Sequence, residues 1–529
     1  MNFTNVRKNK TNGKKPKIYD ISNIDLSYSY TKTEAHNPLI EYNDVTKHRA
    51  GLGYNFAPQP KFYAPFKNLF KSKTHWFDLI KDFNFNPIPS QLSFRADIFR
   101  QFGVIKPRSV TSEFKNIKYN TPETFDKYFT FDRQYIMRWD ITHSLNLDYS
   151  ALNNARVDEP YGRLDTKEKR DTVRKNFWRG GRNVVFTQTA NFSYNVPTTK
   201  FPLIDWTTLR LKYAANYRWI GASRLAYSLG NFLENGQQEE ANLQLDFNKL
   251  YSKSRFLRGL DQPLQRQPQV TPDTAKGKKQ RVPKVPGEIK GAARFFGKLL
   301  TSIKTVNVTL SQNSNTRLPG YTDSTQYLGE NFRSMAPGFD FILGKQPDSV
   351  WLNNAARKGL ITKDSLFNDL FRQTFDQRLS LSAQLEPFRD FTIDVNVDKT
   401  FNKNYSELFK FVDTGNGIAQ FHHLNPYAGG GFSVSYIAFK TLFGTFDPNQ
   451  VSETFIKFQD YRKILSARLG KLNPYSQTPT ADGYYVGYGR YATDVLVPAF
   501  IAAYTGQDPE KVGLIKQNNP NLKSNPFRA

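Results

Sequence analysis

Tyr135-Ile-Met-Arg-Trp-Asp-Ile-Thr-His-Ser-Leu-Asn-Leu-Asp-Tyr149 alternates without a break between apolar and polar residues. Tyr135, Met137, Trp139, Ile141, His143, Leu145, Leu147 and Tyr149 fall on one side, and Ile136, Arg138, Asp140, Thr142, Ser144, Asn146 and Asp148 on the other. Side chains of a strand point to opposite faces with period two, so the stretch predicts one long strand with a greasy and a wet surface. Soluble strands usually run about 5–6 residues. A strand that crosses an outer membrane takes roughly 9–11 residues and places aromatics at the two water boundaries. Aromatic residues mark both ends here.

The same alternation recurs along the chain. It is found at Ile24–Tyr30, His48–Phe56, Leu92–Ile98, Phe186–Tyr194, Leu209–Trp219 and Phe432–Ala438. Leu379, Leu381, Ala383 and Leu385 are set to pair with Phe391, Ile393, Val395 and Val397 across the short link 386–390. About a dozen such segments predict an all-β fold: a large antiparallel transmembrane β-barrel segment with long loops and a few short helices. In lipid, only closure leaves no strand edge unpaired. Candidate lipid-facing residues are Tyr135, Met137, Trp139, Ile141, Leu145, Leu147, Tyr149, Leu211, Tyr213, Tyr217 and Trp219. Candidate lumen-facing residues are Arg138, Asp140, Lys212 and Arg218, expected to line a basic, water-filled interior.

Composition fits this reading. The chain has 529 residues, 38% hydrophobic and 15% aromatic. Its mean hydropathy is −0.61, as expected when only every second strand residue meets lipid. It has no run of 18 apolar residues, which excludes a helical span. It has no cysteine, which excludes a disulfide scaffold and thiolate chemistry. The net charge is +27, yet Lys and Arg are scattered. The densest run, Lys276–Lys284, lies in a Pro-rich stretch and reads as a solvated loop, so no nucleic-acid partner is expected. Met1-Asn-Phe-Thr-Asn-Val-Arg7 has no apolar signal core, so an exported barrel of this sequence is expected to be a piece of a longer polypeptide.

The organisation expected is a first block of strands over 1–256, a Pro/Lys-rich loop with a short helix over 257–302, a second block over 303–450, and a loop and helical segment over 451–529 with a strand near 484–490. Helices are expected at 288–300, 349–359, 452–470 (capped by Ser452) and 494–506 (ended by Gly506), packed onto the sheet. Short turns such as 386–390 are expected on one side of the wall and long excursions such as 257–302 on the other. No catalytic constellation is legible. His422-His423 has no third ligand at zinc spacing, Gly51-Leu-Gly53 sits in a strand, and Gly429–Gly431 reads as a bend or close approach. Asp394 and Asp398 share a strand face at roughly 13 Å, too far apart for a glycosidase pair. No enzyme activity, cofactor or metal is expected.

Several strings resemble the SprA/Sov family in order. They are Asn84–Arg95 with Arg100-Gln-Phe102, Phe131–Tyr135 with Trp139–Thr142, Ser144–Tyr149 and Asp158-Glu-Pro160, then Leu318-Pro-Gly320, Ala336-Pro-Gly338, Ala355–Gly359, Leu385-Glu-Pro387 and Asp494–Gly506. That family forms the outer-membrane translocon of type IX secretion in Bacteroidota and supports gliding motility. The resemblance implies an internal segment of a much longer barrel that passes folded cargo proteins. It implies partners too: the outer-membrane bilayer, a lipid-facing shuttle barrel and a periplasmic plug. Another outer-membrane barrel of the TonB-dependent receptor kind, or a soluble β-rich surface adhesin, would share much of the pattern.

Overall fold

The computed structural model describes residues 1–9, 17–67, 78–108, 121–254, 257, 292–388, 391–413, 419–435, 450–473, 476 and 478–514. Thirteen strands form one sheet in which every strand pairs antiparallel with its neighbour in sequence. They are β1 (Asn2–Arg7), β2 (Ile24–Ala35), β3 (Ile40–Phe56), β4 (Gln91–Pro107), β5 (Thr124–Asp140), β6 (Leu145–Arg156) and β7 (Arg182–Val196), followed by β8 (Thr207–Ile220), β9 (Asn231–Asp246), β10 (Ile303–Tyr321), β11 (Phe371–Phe388), β12 (Phe391–Asp413) and β13 (Ala419–Val434). β1 and β13 are the two margins and do not pair with each other, so the sheet is open. Twelve of the strands have 12 or more residues, far beyond the usual 5–6.

The stretch 135–149 is a hairpin, not one strand. β5 ends at Asp140 and β6 begins at Leu145. Thr142 closes the turn: its Oγ1 accepts from the amides of Ser144 (3.1 Å) and Leu145 (2.9 Å), and its own amide donates to Leu145 O at 3.1 Å. A threonine hydroxyl can replace a backbone acceptor in this way. Met137 stands opposite Tyr149, Trp139 opposite Leu147 and Arg138 opposite Asp148. Odd residues thus face odd residues, and the two-faced pattern passes through the turn unchanged. Tyr436 and Ala438, read as the end of a strand, lie outside the described residues.

Long and short connections are mixed at both ends of the sheet, contrary to the expected asymmetry. The link from Phe388 to Phe391 shares an end with the long passage from Asp246 to Ile303. At the opposite end, Ala35 joins Ile40 directly, whereas 322–370 forms a large excursion between β10 and β11.

Two excursions from that second end fold back over the sheet. The first, 157–181, carries α1 (Lys167–Trp178), and its Val157 and Val173 are buried with Phe129 of β5. The second, 322–370, carries a single helical turn at Phe339–Ile342 and a longer helix at Ser349–Arg357. Phe341, Ile342, Leu352, Ala355 and Ala356 pack on Phe186, Tyr217, Trp219, Leu233, Leu318 and Phe371 to make the main core. Two further helices, Glu453–Leu472 and Thr493–Thr505, do not follow the expected packing onto the sheet. They bury Leu465, Leu469, Val495, Ala499 and Ala502 chiefly against each other. Gly506 ends the second at φ 71°, a left-handed cap that suits glycine. Ser452 stands at the start of the first without a side-chain cap bond. The expected strand near 484–490 is instead a set of turns with isolated bridges at Tyr485 and Tyr488, anchored by Ser466, whose Oγ donates to Tyr488 O at 2.6 Å.

Leu352 is fully buried where the second cover meets the sheet, whereas Leu366 in the same excursion is 82% exposed. Leu352→Ala is expected to weaken the cover by about 2–5 kcal/mol and Leu366→Ala by less than about 0.5 kcal/mol. Limited proteolysis should cut 322–370 faster in the first variant only.

Candidate functional site: a two-faced sheet

The strand pattern assembles into two continuous surfaces because the antiparallel register matches parity across strand after strand. One surface is mostly hydrophilic, interrupted by Phe99, Tyr128, Ile136 and Leu152. Arg138 Nε lies 3.5 Å from Asp148 Oδ1, Lys212 Nζ 3.4 Å from Glu240 Oε2, and Arg218 Nη1 3.4 Å from Glu234 Oε2. Asp140 Oδ2 accepts from Ser90 Oγ at 2.5 Å. Arg95 pairs with Asp97 at 2.7 Å and Arg378 with Asp398 at 3.2 Å. The surface is therefore of mixed charge, not the basic lining expected: each of Arg138, Lys212 and Arg218 meets a carboxylate on the neighbouring strand. Gly51 and Gly53 belong to it. A Cβ at Gly51 would stand 2.6 Å from Ser27 Oγ, and one at Gly53 would strike the Asp25 carboxylate. The glycines leave room for these polar side chains to lie across the strand.

The other surface carries an apolar band. It includes Leu26, Leu52, Leu92 and Phe94, then Tyr135, Met137, Trp139, Leu145, Leu147 and Tyr149, then Phe192, Tyr194, Leu209, Leu211 and Tyr213. It goes on through Leu243 and Leu245 of β9, Val306 and Val308 of β10, Leu379, Leu381 and Ala383 of β11, and Val395 and Val397 of β12. Leu26, Leu52, Leu211 and Leu379 are between 37% and 50% exposed. No second sheet exists among the described residues to cover them.

The band does not follow the hydrogen-bond rows. Register leads from Leu52 through Ala96, Arg133, Asn153, Phe186 and Trp219 to Leu233 of β9. Leu233 is fully buried under the second cover. The uncovered apolar run of β9 centres on Leu243, ten residues further along (243 − 233). Ten residues at ~3.3 Å, over six strand steps of ~4.8 Å, give a slope of about 45–50°. A level band on strands tilted by 35–45°, as in closed barrels, slips in this manner.

The same slip moves two of the expected lipid-facing residues out of the band. Tyr217 and Trp219 are 2% and 3% exposed, packed beneath Phe341 and its neighbours. Protein covers them, so they cannot meet acyl chains. Trp219 Nε1 donates to Asp323 O at 3.0 Å. Tyr213, at the rim, donates through its hydroxyl to Leu343 O. Ile141 lies in the turn, its carbonyl accepting from Asn86 N at 2.8 Å, and Trp139 Nε1 donates to Asn86 O at 2.8 Å. Sequence reasoning missed Asn235, Gln188 and Thr316, buried polar residues that mark where the cover sits. Asn235 Nδ2 donates to Phe341 O (2.7 Å) and Lys345 O (3.0 Å), which fastens the cover to β9. Polar residues at apolar-parity positions were the available signal.

No protein-family model and no curated protein matches the chain.

Among the described residues, no group of three or more His, Cys, Asp or Glu could hold a metal. His423 Nδ1 lies 2.8 Å from Oε2 of the fully buried Glu407, a pairing across β12 and β13. Glu330 sits in the second cover, 1% exposed, and accepts from Gly338 N at 3.2 Å. Burial, with Asp323 nearby, raises its carboxyl above the ordinary carboxylate range. A raised carboxyl favours the folded cover while protonated. That advantage is full below about pH 4.3 and is lost as pH rises toward the raised value. The cover should therefore open at lower denaturant at pH 8 than at pH 5, followed by Trp351 emission. Glu330→Gln should flatten that dependence and raise the pH 8 midpoint. An unchanged midpoint in the variant would refute this account of Glu330.

Proposed function

We propose that the chain is part of the wall of an outer-membrane protein-conducting channel, of the kind that exports folded proteins by type IX secretion and supports gliding motility. One observation carries the membrane half of this reading: a single sheet with a mainly hydrophilic face and, behind it, an uncovered apolar band that climbs across the strands at a barrel-like slope. A soluble sandwich would bury that band against a second sheet. In hydrocarbon the ladder satisfies the backbone, and the side chains of the band meet the lipid.

The secretion half rests on the resemblance of the ordered strings to the SprA/Sov family. A wide lumen lined by paired, hydrated charges such as Lys212–Glu240 and Arg218–Glu234 would adsorb folded cargo weakly, since exposed pairs present little net field. The chain performs no chemistry in this reading. Conduction is passive, with direction imposed by partners, among them a shuttle barrel on the lipid side and a plug on the periplasmic side. The open margins β1 and β13 fit a wall completed by further strands.

The test is membrane partitioning. Carbonate-washed envelopes should retain the chain, and detergent should release it; a freely soluble monomer would end the proposal. Leu243→Arg, in the band, should lower the stability of the inserted sheet by about 2–4 kcal/mol, whereas Asn216→Arg on the hydrophilic face should cost under about 1 kcal/mol. Equal effects in a lipid refolding titration would refute the assignment of faces.

A further inference from the structure

Between the two covers and the link from β8 to β9 lies a cavity of about 730 Å³ whose walls carry four arginines: Arg133, Arg179, Arg182 and Arg333. The lining holds one carboxylate, Asp323, and that group is already engaged. It accepts from Asn331 Nδ2 (2.7 Å), Ser334 Oγ (2.5 Å) and Ser324 N (2.8 Å). Arg182 is held by Asp158 at 3.1 Å. Arg133 Nη2 donates to Gly180 O and Asn183 Oδ1, both at 3.2 Å, while its Nε is buried with no partner. Among the described residues, no carboxylate pairs with Arg179 or Arg333, and both are exposed. Several guanidinium groups around one space repel one another unless an anion joins them. Their planar forks fit phosphate oxygens two at a time.

The position narrows the source. Arg133 is two residues along β5 from Tyr135, on the same face and at the edge of the apolar band there. Tyr135 is half-buried against the main core, and a lipid lying against Met137 next to it on this face would carry its headgroup to the level of this cavity.

We propose that the cavity is a binding site for a phosphate ester, supplied by the headgroup of a lipid packed against the band. This rests on the reading of the sheet as a membrane wall. The space exceeds what a bare phosphate needs and suits a headgroup with a sugar or glycerol attached.

The test uses the full chain in detergent micelles. One set is doped with phosphatidic acid, and the other with diacylglycerol, which has the same tails without phosphate. Native mass spectrometry should show phosphatidic acid retained at least about tenfold more than diacylglycerol. The double variant Arg179→Gln/Arg333→Gln should lose about tenfold, and Arg179→Lys/Arg333→Lys should recover part of it, with Trp351 emission unchanged in both. Equal retention of the two lipids, or no effect of the Gln pair, overturns the proposal. Glucose 6-phosphate binding as tightly as phosphatidic acid overturns the lipid source and leaves a soluble ester site. Membrane partitioning is scored separately. A chain that stays in carbonate-washed membranes but shows no phosphate preference refutes the site alone, and a soluble chain refutes the wall.

Discussion

A peptide N–H or C=O without a partner in hydrocarbon costs several kcal/mol, so a sheet can face lipid only if its ladder runs unbroken. The ladder here runs through thirteen strands joined one to the next, and the other features of the fold depend on it. Register decides which side chains share a surface. A slip of one residue in any strand would exchange its hydrophilic and apolar sets. The pairings Lys212–Glu240 and Arg218–Glu234 on one side, and Leu211–Ala241 and Leu209–Leu243 on the other, agree on a single register for β8 and β9. Bulges are confined mostly to strand ends, as between Leu318 and Tyr321 or between Ile303 and Thr305.

Much of this was written in the sequence at short range. Period-two alternation located β2, β3, β4, β7, β8, β11 and the first part of β12, and helices were expected near 292–300, 349–357, 453–472 and 493–505, whereas α1 (Lys167–Trp178), longer than two of these, was missed. The strand break at 141–144 was hidden because Ile-Thr-His-Ser contains no glycine, proline or asparagine. Its turn depends on one hydroxyl, and alternation continues through it in phase. β9 was obscure for the opposite reason. Gly236-Gln-Gln-Glu-Glu240 has no apolar residue to alternate, since that portion rises beyond the band and is held by β8 and β10 on either side.

The covers were the least legible part. Nothing in the spacing of Tyr217 and Trp219 separates them from Leu211 and Tyr213 six residues earlier. The difference is height, and height becomes visible only when ten residues of slip between β3 and β9 are added up. Alternation identifies a face but not a level on it. Buried amides carry that second coordinate: Asn153, Gln188 and Asn235 have apolar parity yet need partners, and Asn235 finds them in the carbonyls of the second cover.

Both covers lie on the band's side of the sheet and project from the same end. A wall built in this manner has a shoulder. In the proposed membrane setting, acyl chains would rise along Leu211 and Tyr213 only to the ledge formed by Phe341, Leu343 and their neighbours. Under that proposal immersion depth would be set by a steric flange as well as by hydrophobic thickness, and a bilayer that thinned or thickened would have to deform around that flange before the strands could slide through it.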